Sequence, residues 1–387
     1  MPAANGPRWK NSQGSFERFG QHFDTAAGRI AGLWQDLTGG MALGQLWEDF
    51  KADAQAGYKF YSRDIDWKAF ERQRKWKRRL YIGRALSWAM LRKLSPARRV
   101  FLLLIIAYIV VTLVERQAGA AIVIASIGLL FLLSLELADR VTMKRDLEIA
   151  RDIQKRLVPD APPNDAGMEI AFATRPANTV SGDYYDAFTR EKTDGKSNLL
   201  LIVADVAGKG IPAALLMATI QASLRSLAAF RVSLPELVAG LNRYACTNSL
   251  AGSRFTTAFI AEWDPASRTL AYVNAGHNAP ILKRSCGTMQ RLEACGLPLG
   301  IMDDRCYTAS ETVFEPGDLL VVFTDGVVEA EDESDAEFGE ARLLNCVSMM
   351  RPASAGQALA AILTAVDAFV GRTRQHDDIT ALVALGR

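Results

Sequence analysis

Four short acidic segments, spread over about 200 residues, constrain this chain more than any other feature of its sequence. Each places aspartate at or near the end of an apolar, β-prone run, although aspartate is depleted in strands and an isolated buried carboxylate is costly. Carboxylates gathered at strand ends are most easily explained by cations between them, and Mg²⁺ and Mn²⁺ prefer such oxygen ligands. The segments are residues 181–186 (SGDYYD), 204–210 (ADVAGKG), 324–326 (TDG) and 376–380 (HDDIT).

The part of the chain that carries these segments alternates between strand-like and helix-like stretches. A run of antiparallel strands with a helix pair inserted, followed by further helices, predicts an α+β layered fold. The helix at 211–230 is apolar on nearly all sides, as expected between two layers. The predicted strands are residues 168–175, 184–188, 199–204, 255–263, 269–274, 308–314, 319–323 and 379–385, and the predicted helices are 211–230, 235–248, 341–349 and 355–370.

Seven stretches, which include the acidic segments, resemble one known family. The chain is similar to the metal-dependent protein phosphatase 2C (PPM) superfamily, in its bacterial SpoIIE/RsbU-like branch, and the stretches follow the family's order over most of residues 165–387. The resemblance implies a four-layer αββα sandwich with two Mn²⁺ or Mg²⁺ ions at one end, between the sheets. The stretches are 181–186, 204–218, 254–264, 272–282, 296–301, 316–330 and 376–383.

The resemblance also implies which residues hold the metals. Asp205 matches the aspartate that bridges both ions, and the main-chain carbonyl of Val206 is the ligand beside it. Asp183 matches the residue that serves one ion, whereas Asp325 and Asp377 match the two that hold the other. Catalysis is expected to depend most on Asp205 and Asp325.

Four more residues are accessory candidates. Asp378 stands where many relatives have asparagine, so a direct bond to metal is not expected, and Asp186 is expected to act through water. Gly208 would let the backbone approach a metal or anion, although its surroundings lack the spacing of a nucleotide P-loop. His277 is either part of the active-site rim or, as we favour, a histidine whose ring is satisfied at a strand end.

By resemblance, the function is hydrolysis of phosphoserine or phosphothreonine by water activated between two metals. The implied substrate is a phosphorylated regulatory protein, which in this branch is an anti-sigma factor antagonist. The alternative is a membrane-tethered binding module with an inactive phosphatase fold, against which the filled aspartate positions argue. A phosphodiesterase or nuclease is a third reading; the lack of a His-rich metal set argues against it, and no nucleic-acid partner is expected.

The segment before this domain is basic and then strongly apolar. Residues 63–99 carry thirteen Lys or Arg against three acids, a net charge of +10, so the rest of the +2 chain carries −8. The uncharged runs 100–114 and 118–135 follow, with basic residues on both sides. The positive-inside rule then predicts a transmembrane hairpin in the inner membrane with both termini and the phosphatase domain in the cytoplasm, and the basic block is expected to lie on anionic lipid. The alternative for the apolar runs is a pair of buried core helices. The alternative for the basic block is a solvated helical face.

A linker helix is predicted between the apolar runs and the phosphatase domain. A 4-3-4-3 spacing that is typical of a short coiled-coil seam relates Met143, Leu147, Ala150, Gln154 and Leu157, with polar Gln154 as an interruption. The alternative is a helix packed on the catalytic domain, and the resemblance implies a homodimer through this helix. The five cysteines are odd in number and form no C-x-x-C pair, which favours reduced thiols in the cytosol. The predicted organisation is 1–99 helical juxtamembrane region, 100–135 transmembrane hairpin, 136–160 linker helix and 161–387 PPM/SpoIIE-type phosphatase domain.

Overall fold

The computed structural model describes residues 94–114, 118–163, 167–191, 197–248 and 254–387. The predictions for residues 1–93, which contain most of the basic block, and for the charged trio 115–117 lie outside the described residues. The chain divides into two compact units, Met1–Leu137 and Ala138–Arg387.

Two apolar helices dominate the described part of the first unit: α1 (Pro96–Val114) and the beginning of α2 (Ala118–Leu157). Their contact is small and apolar: Ile105 is buried, a Cβ added at Gly128 would be 2.9 Å from the Ile105 side chain, and the rings of Phe101 and Phe131 lie edge to face. Nearly all their other large apolar side chains are exposed, which suits a lipid environment better than water.

Helix α2 is a single helix of 40 residues, about 60 Å long at 1.5 Å per residue. The predicted boundary between membrane hairpin and linker at residues 135 and 136 therefore falls inside continuous helix. Among the described helices, three are long and apolar enough to cross a membrane: Pro96–Val114, Ile122–Leu157 and Ile211–Ala228. The third packs into the second unit, with Met217, Ile220 and Leu224 among its buried residues.

The second unit contains two five-stranded antiparallel sheets. Sheet A has the strand order β1-β10-β9-β6-β7, and sheet B has the order β2-β3-β4-β5-β8. The strands are β1 (Met168–Arg175), β2 (Asp183–Glu191), β3 (Ser197–Val206), β4 (Thr256–Asp264), β5 (Thr269–Ala275), β6 (Ile281–Lys283), β7 (Met289–Arg291), β8 (Ser310–Val313), β9 (Leu319–Phe323) and β10 (Ile379–Gly386).

Besides the end of α2, the described residues of this unit form five helices: α3 (Ile211–Ala228), α4 (Leu234–Asn248), α5 (Asp325–Val328), α6 (Gly339–Met349) and α7 (Ala355–Val370). Three buried apolar clusters define the layers. One lies between α3, α4 and sheet B, one between the two sheets, and one between sheet A and α6, α7. Tyr184 and Tyr185 show the period-2 alternation of a strand, since the first faces the helices and the second faces the opposite sheet. The predicted αββα sandwich is confirmed.

The strand pairings bring the acidic segments to one end of the sandwich. In sheet B, Asp183 at the start of β2 pairs directly with Asp205 near the end of β3. In sheet A, β9 runs into Thr324, whose N–H donates to the carbonyl of Thr380 at 3.0 Å. Because β9 and β10 are antiparallel, the residues that follow β9 meet those that precede β10. Asp325 and Asp377 occupy these two positions.

Candidate metal centre

Two carboxylates face each other across neighbouring strands at the heart of the site. Asp183 and Asp205 are direct cross-strand partners, a position at which like charges are destabilising. Burial, and after it the charge of Asp205, raises the pKa of Asp183 well above its usual range. Burial and the charges of Asp325 and Asp377 raise the pKa of Asp205 to about 7. These two carboxylates therefore lack sufficient compensating positive charge.

The other half of the site is supplied by the turn after β9 and the loop before β10. Asp325 is the first residue of α5, and burial and the charge of Asp377 raise its pKa. We call Asp183, Asp205, Asp325 and Asp377 the carboxylate cluster. The sequence predicted these four as metal ligands, and the structure brings all four to one place.

The cluster suits hydrated divalent cations better than a closed protein cage. Within the described ranges of this metal-free structure, no group of three or more His, Cys, Asp or Glu side chains is placed so that it could hold a metal ion. Mg²⁺ retains several waters and is usually held by one or two carboxylates, so an open set of oxygen donors fits it. Burial and neighbouring carboxylates raise the pKa values of Asp183 and Asp205, and such cations would offset the cost of ionising them. The fifth predicted ligand, the carbonyl of Val206, ends β3 beside Gly182, where an added Cβ would be 3.4 Å from the Val206 oxygen.

Thr324 fixes the orientation of Asp183. Its hydroxyl donates to Asp183 Oδ2 at 2.9 Å and accepts from the N–H of Thr380 at 3.0 Å. Thr324 is fully buried. Because Asp183 lies in sheet B and Thr324 follows β9 of sheet A, this hydrogen bond joins the two sheets at the cluster. The sequence analysis missed Thr324, although it immediately precedes Asp325.

Asp378 organises the loop that leads into β2. Its Oδ1 accepts from Ala177 N at 2.7 Å, and its Oδ2 accepts from Ser181 Oγ at 2.9 Å and Gly182 N at 2.7 Å. Ser181 Oγ also accepts from Asp183 N at 3.1 Å. With three donors on its carboxylate, Asp378 positions the backbone that leads to Asp183.

Asp186 lies on the opposite face of β2 from Asp183, because side chains three residues apart in a strand point in opposite directions. Its carboxylate accepts from Tyr184 Oη at 2.7 Å and from Arg225 Nε and Nη2, each at 2.7 Å. Asp186 is completely buried. The structure thus pairs Asp186 with helix α3 and does not bring it into the carboxylate cluster, contrary to its predicted accessory position.

His277 is buried and contacts Thr257, a strand neighbour of the cluster residue Asp205. Its Nδ1 lies 2.9 Å from Thr257 Oγ1, and its N–H donates to Asn274 Oδ1 at 2.8 Å. Thr257 is the cross-strand partner of Asp205. Burial lowers the pKa of His277 to about 4, so the ring is neutral near pH 7. Among the described residues, its Nε2 is buried without a hydrogen-bond partner, so the ring is satisfied at only one of its two nitrogens.

Two glycines are required near the cluster, Gly208 by its positive φ and Gly326 by close approach of the backbone. Gly208 has φ +106°, and a Cβ added there would be 2.3 Å from Arg254 Nη1, which donates to the Ala207 carbonyl. At Gly326 an added Cβ would be 2.0 Å from the Asp378 carbonyl oxygen. The Asp-Gly pair at 325–326 thus permits the contact between α5 and the loop that carries Asp377.

The last turns of α2 reach the same loop. The Gln154 side chain donates from Nε2 to the Ser181 carbonyl at 2.7 Å, and its Oε1 accepts from Ser181 N at 3.0 Å. Gln221 of α3 donates to the Leu157 carbonyl at 3.0 Å. The sequence analysis noted Gln154 only as a polar interruption of an apolar seam. That interruption was the signal that a buried partner exists.

Comparison with known proteins assigns the domain. The SpoIIE family (Stage II sporulation protein E) matches residues 195–385. Phosphoserine phosphatase RsbU of Bacillus subtilis (strain 168) is 34% identical over 193 residues, which cover 50% of this chain and 56% of RsbU. Protein IcfG of Synechocystis sp. (strain ATCC 27184 / PCC 6803 / Kazusa) is 28% identical over 277 residues, which cover 65% of this chain and 43% of IcfG. This chain thus spans about half the length of these relatives.

The solved structure of the SiaA PP2C domain of Pseudomonas aeruginosa shares the fold. It has a TM-score of 0.53 and 24% sequence identity, and the match covers 65% of this chain and 99% of that domain. Phosphatases of this family depend in general on Mg²⁺ or Mn²⁺. Residues 195–385 of this chain therefore belong to the SpoIIE family, in the bacterial RsbU-like group of PP2C (PPM) phosphatase domains.

Proposed function

We propose that this chain is a metal-dependent protein serine/threonine phosphatase whose active site is the carboxylate cluster. The observation that carries the proposal is the buried, directly opposed pair Asp183 and Asp205, whose pKa values are raised by burial and by neighbouring carboxylates. Such a pair is costly unless cations compensate it. The likeness to a phosphoserine phosphatase over half of the chain supports the same chemistry.

Two divalent cations, Mg²⁺ or Mn²⁺, would be held by Asp183, Asp205, Asp325, Asp377 and the carbonyl of Val206. When bound, such ions activate water and neutralise charge on phosphoryl oxygens. The protein's part is to hold its oxygen donors in place, with Asp205 between the two halves of the cluster. Removing Asp205 or Asp325 should therefore affect both ions, because each of these carboxylates influences its neighbours across the cluster.

The surrounding hydrogen bonds keep the donors oriented. Thr324 holds one oxygen of Asp183, and Asp378 holds the backbone on either side of Ser181. Neutral His277 supports Thr257 beside Asp205. Fixed outer contacts of this kind orient metal ligands and are worth roughly 10–100-fold in affinity or activity.

The proposed substrate is phosphoserine or phosphothreonine on a regulatory protein. By family resemblance, the substrate protein would be an anti-sigma factor antagonist that takes part in partner switching. The relative RsbU is named a phosphoserine phosphatase, which supports the serine preference. No nucleic-acid substrate is proposed, because the chain outside the basic block 63–99 is acidic.

The proposed location is the inner membrane, with lipid contacts through the basic block. The two apolar helices of the first unit support membrane association, and the basic residues on both sides of the apolar runs favour cytoplasmic termini. We retain the division into 1–99, 100–135, 136–160 and 161–387 as part of this proposal. A homodimer through the linker segment is proposed on the spacing of its apolar residues.

The second candidate is a membrane-tethered binding module without turnover. Hydrolysis of a chromogenic phosphate ester by the full chain in detergent, with Mn²⁺ or Mg²⁺, separates the two. Metal-dependent release of product that chelator abolishes supports the phosphatase. A folded chain that binds Mn²⁺ and releases no product, from either the ester or a phosphoserine protein, would support the binding module.

A further inference from the structure

One cationic side chain lies against the carboxylate cluster. The ammonium of Lys209 is 2.7 Å from Asp377 Oδ2 and donates to the His376 carbonyl at 2.8 Å. The Lys209 side chain is 52% exposed, so it reaches the cluster from the solvent side. Its positive charge also acts on Asp325 and Glu329.

The backbone on both sides of Lys209 is held in an unusual conformation. Gly208 and Gly210 have φ values of +106° and +76°, which residues with a Cβ rarely adopt. Arg254 packs against Gly208 and donates to the Ala207 carbonyl at 3.1 Å. The backbone position of Lys209 is therefore defined, whereas its long side chain can still change conformation.

Lys209 also lines a cavity of about 370 Å³ next to Asp377. Most of the other charged groups in its wall are already paired or acidic. Arg175 forms an ion pair with Asp367, and Glu331 accepts from His376. The Lys209 ammonium, by contrast, contacts Asp377, a carboxylate of the cluster.

We infer that Lys209 binds the phosphoryl group of the substrate. The inference rests on the proposed function, because it assigns a residue to that site. A lysine ammonium binds phosphate as a point charge, and Lys209 borders the carboxylates that would hold the cations.

The ion pair between Lys209 and Asp377 also bears on cation binding at Asp377. A half-exposed ion pair is weak, so a cation on Asp377 would displace the ammonium readily and leave it available to a phosphoryl oxygen. Lys209 therefore opposes cation binding at Asp377 and favours phosphate binding beside it. Loss of its charge should move the two binding constants in opposite directions.

The test compares the full chain in detergent with its Lys209→Met and Lys209→Arg variants. Calorimetry with Mn²⁺ alone gives cation affinity, and titration of inorganic phosphate into the Mn²⁺-loaded protein gives phosphate affinity. For Lys209→Met we expect phosphate affinity to fall about ten- to a hundredfold, the usual size of a hydrogen bond to a charged group. Mn²⁺ affinity should become tighter, by up to about fivefold, since an exposed ion pair is lost. Lys209→Arg should retain most of the phosphate affinity.

Lys155→Met is the matched control, because it removes the same charge from an exposed position on α2 and should change neither constant. A parallel loss of Mn²⁺ and phosphate affinity in Lys209→Met would show a structural role, and unchanged phosphate affinity would overturn the inference. Neither readout needs turnover. A wild-type chain that binds Mn²⁺ and phosphate without hydrolysis would count against the proposed function and leave the assignment of Lys209 standing.

Discussion

At the scale of single residues, the site is governed by like charges held close together. Asp205 shows this most clearly, because burial, Asp325 and Asp377 together raise its pKa to about 7. Its neighbour Asp183 lies directly opposite in the strand pairing. The energetic cost of this arrangement in the metal-free protein makes it sensitive to pH, to cations and to any change of charge.

Stability of the metal-free protein should therefore depend on Asp205 and pH. The folded-state pKa of Asp205 lies above its ordinary value of 3.8, so the folded state binds the extra proton between about pH 4 and 7. The stability from this group is full below about pH 4 and is lost as pH rises through 7. In excess chelator at pH 8, Asp205→Asn should melt a few degrees higher than wild type, about 2–4 °C, with no such gain at pH 4.

Exposed Asp304→Asn serves as the control for that measurement, and its melting temperature should follow the wild type at both pH values. An Asp205→Asn variant that melts lower than wild type at pH 8 in chelator would contradict the repulsion described above.

Gly326 is the residue at which backbone packing, rather than charge, shapes the site. An added Cβ would be 2.0 Å from the Asp378 carbonyl oxygen, so Gly326→Ala must displace the loop that carries Asp377. We expect Mn²⁺ affinity to fall roughly 10–100-fold, as when an outer contact of a metal ligand is lost, while the chain stays folded. Calorimetry with Mn²⁺ measures this. Gly356→Ala, where an added Cβ would be 4.0 Å from Ser354 Oγ, should bind Mn²⁺ as wild type does.

At the scale of elements, most of the sandwich was predictable because its signals are local. The strands Met168–Arg175 and Leu319–Phe323 and the helix Ala355–Val370 begin and end where the sequence predicted, since apolar periodicity and flanking turn residues determine them. The short strands β6 and β7 were missed. Each has three residues, too few for a period-2 pattern to stand out.

The carboxylate cluster was predictable from the sequence, whereas its supporting contacts were less so. The four aspartates lie in recognisable segments, and the structure brings them together. Asp186 lies in the same segment as Asp183 but faces α3 and Arg225, which the alternation of strand side chains could have indicated. Thr324 and Gln154 act through partners 141 and 27 residues away, and local patterns do not reveal such contacts.

The end of α2 should influence metal binding through Gln154. Gln154→Ala leaves the N–H and carbonyl of Ser181 without their present partner, and Ser181 Oγ accepts from Asp183 N. We expect Mn²⁺ affinity to fall about tenfold or more, measured by calorimetry. Exposed Arg151→Ala on the same helix is the control. Equal Mn²⁺ affinity in Gln154→Ala and wild type would show that α2 does not help to position Asp183.

At the scale of the whole molecule, one helix of 40 residues contains both an apolar stretch and Gln154. The apolar stretch is long enough to cross a membrane, and Gln154 contacts the loop before Asp183. Sequence patterning separated a membrane segment from a linker, because composition changes sharply near residue 136. The backbone does not change there, since charged and apolar residues are both compatible with an uninterrupted helix.

The proposed topology predicts which cysteines an impermeant maleimide can reach. Cys286 and Cys306 are exposed in the second unit, so they should be protected in spheroplasts and labelled after the membrane is permeabilised. A Gln117→Cys variant, placed between the two apolar runs, should be labelled without permeabilisation. Labelling of the wild-type chain in sealed spheroplasts would place the phosphatase domain outside and refute the topology.

Phosphate release from a phosphoserine protein is the most direct test of the central claim. The full chain in detergent would be assayed with increasing Mn²⁺, beside Asp325→Ala and a chelator-treated sample. For a metal-dependent phosphatase, turnover should rise with Mn²⁺ and disappear in chelator. In Asp325→Ala it should fall more than about 100-fold, since even outer contacts of a metal ligand are worth roughly 10–100-fold. Turnover that persists in chelator, or that Asp325→Ala retains, would contradict a metal-dependent phosphatase built on the carboxylate cluster.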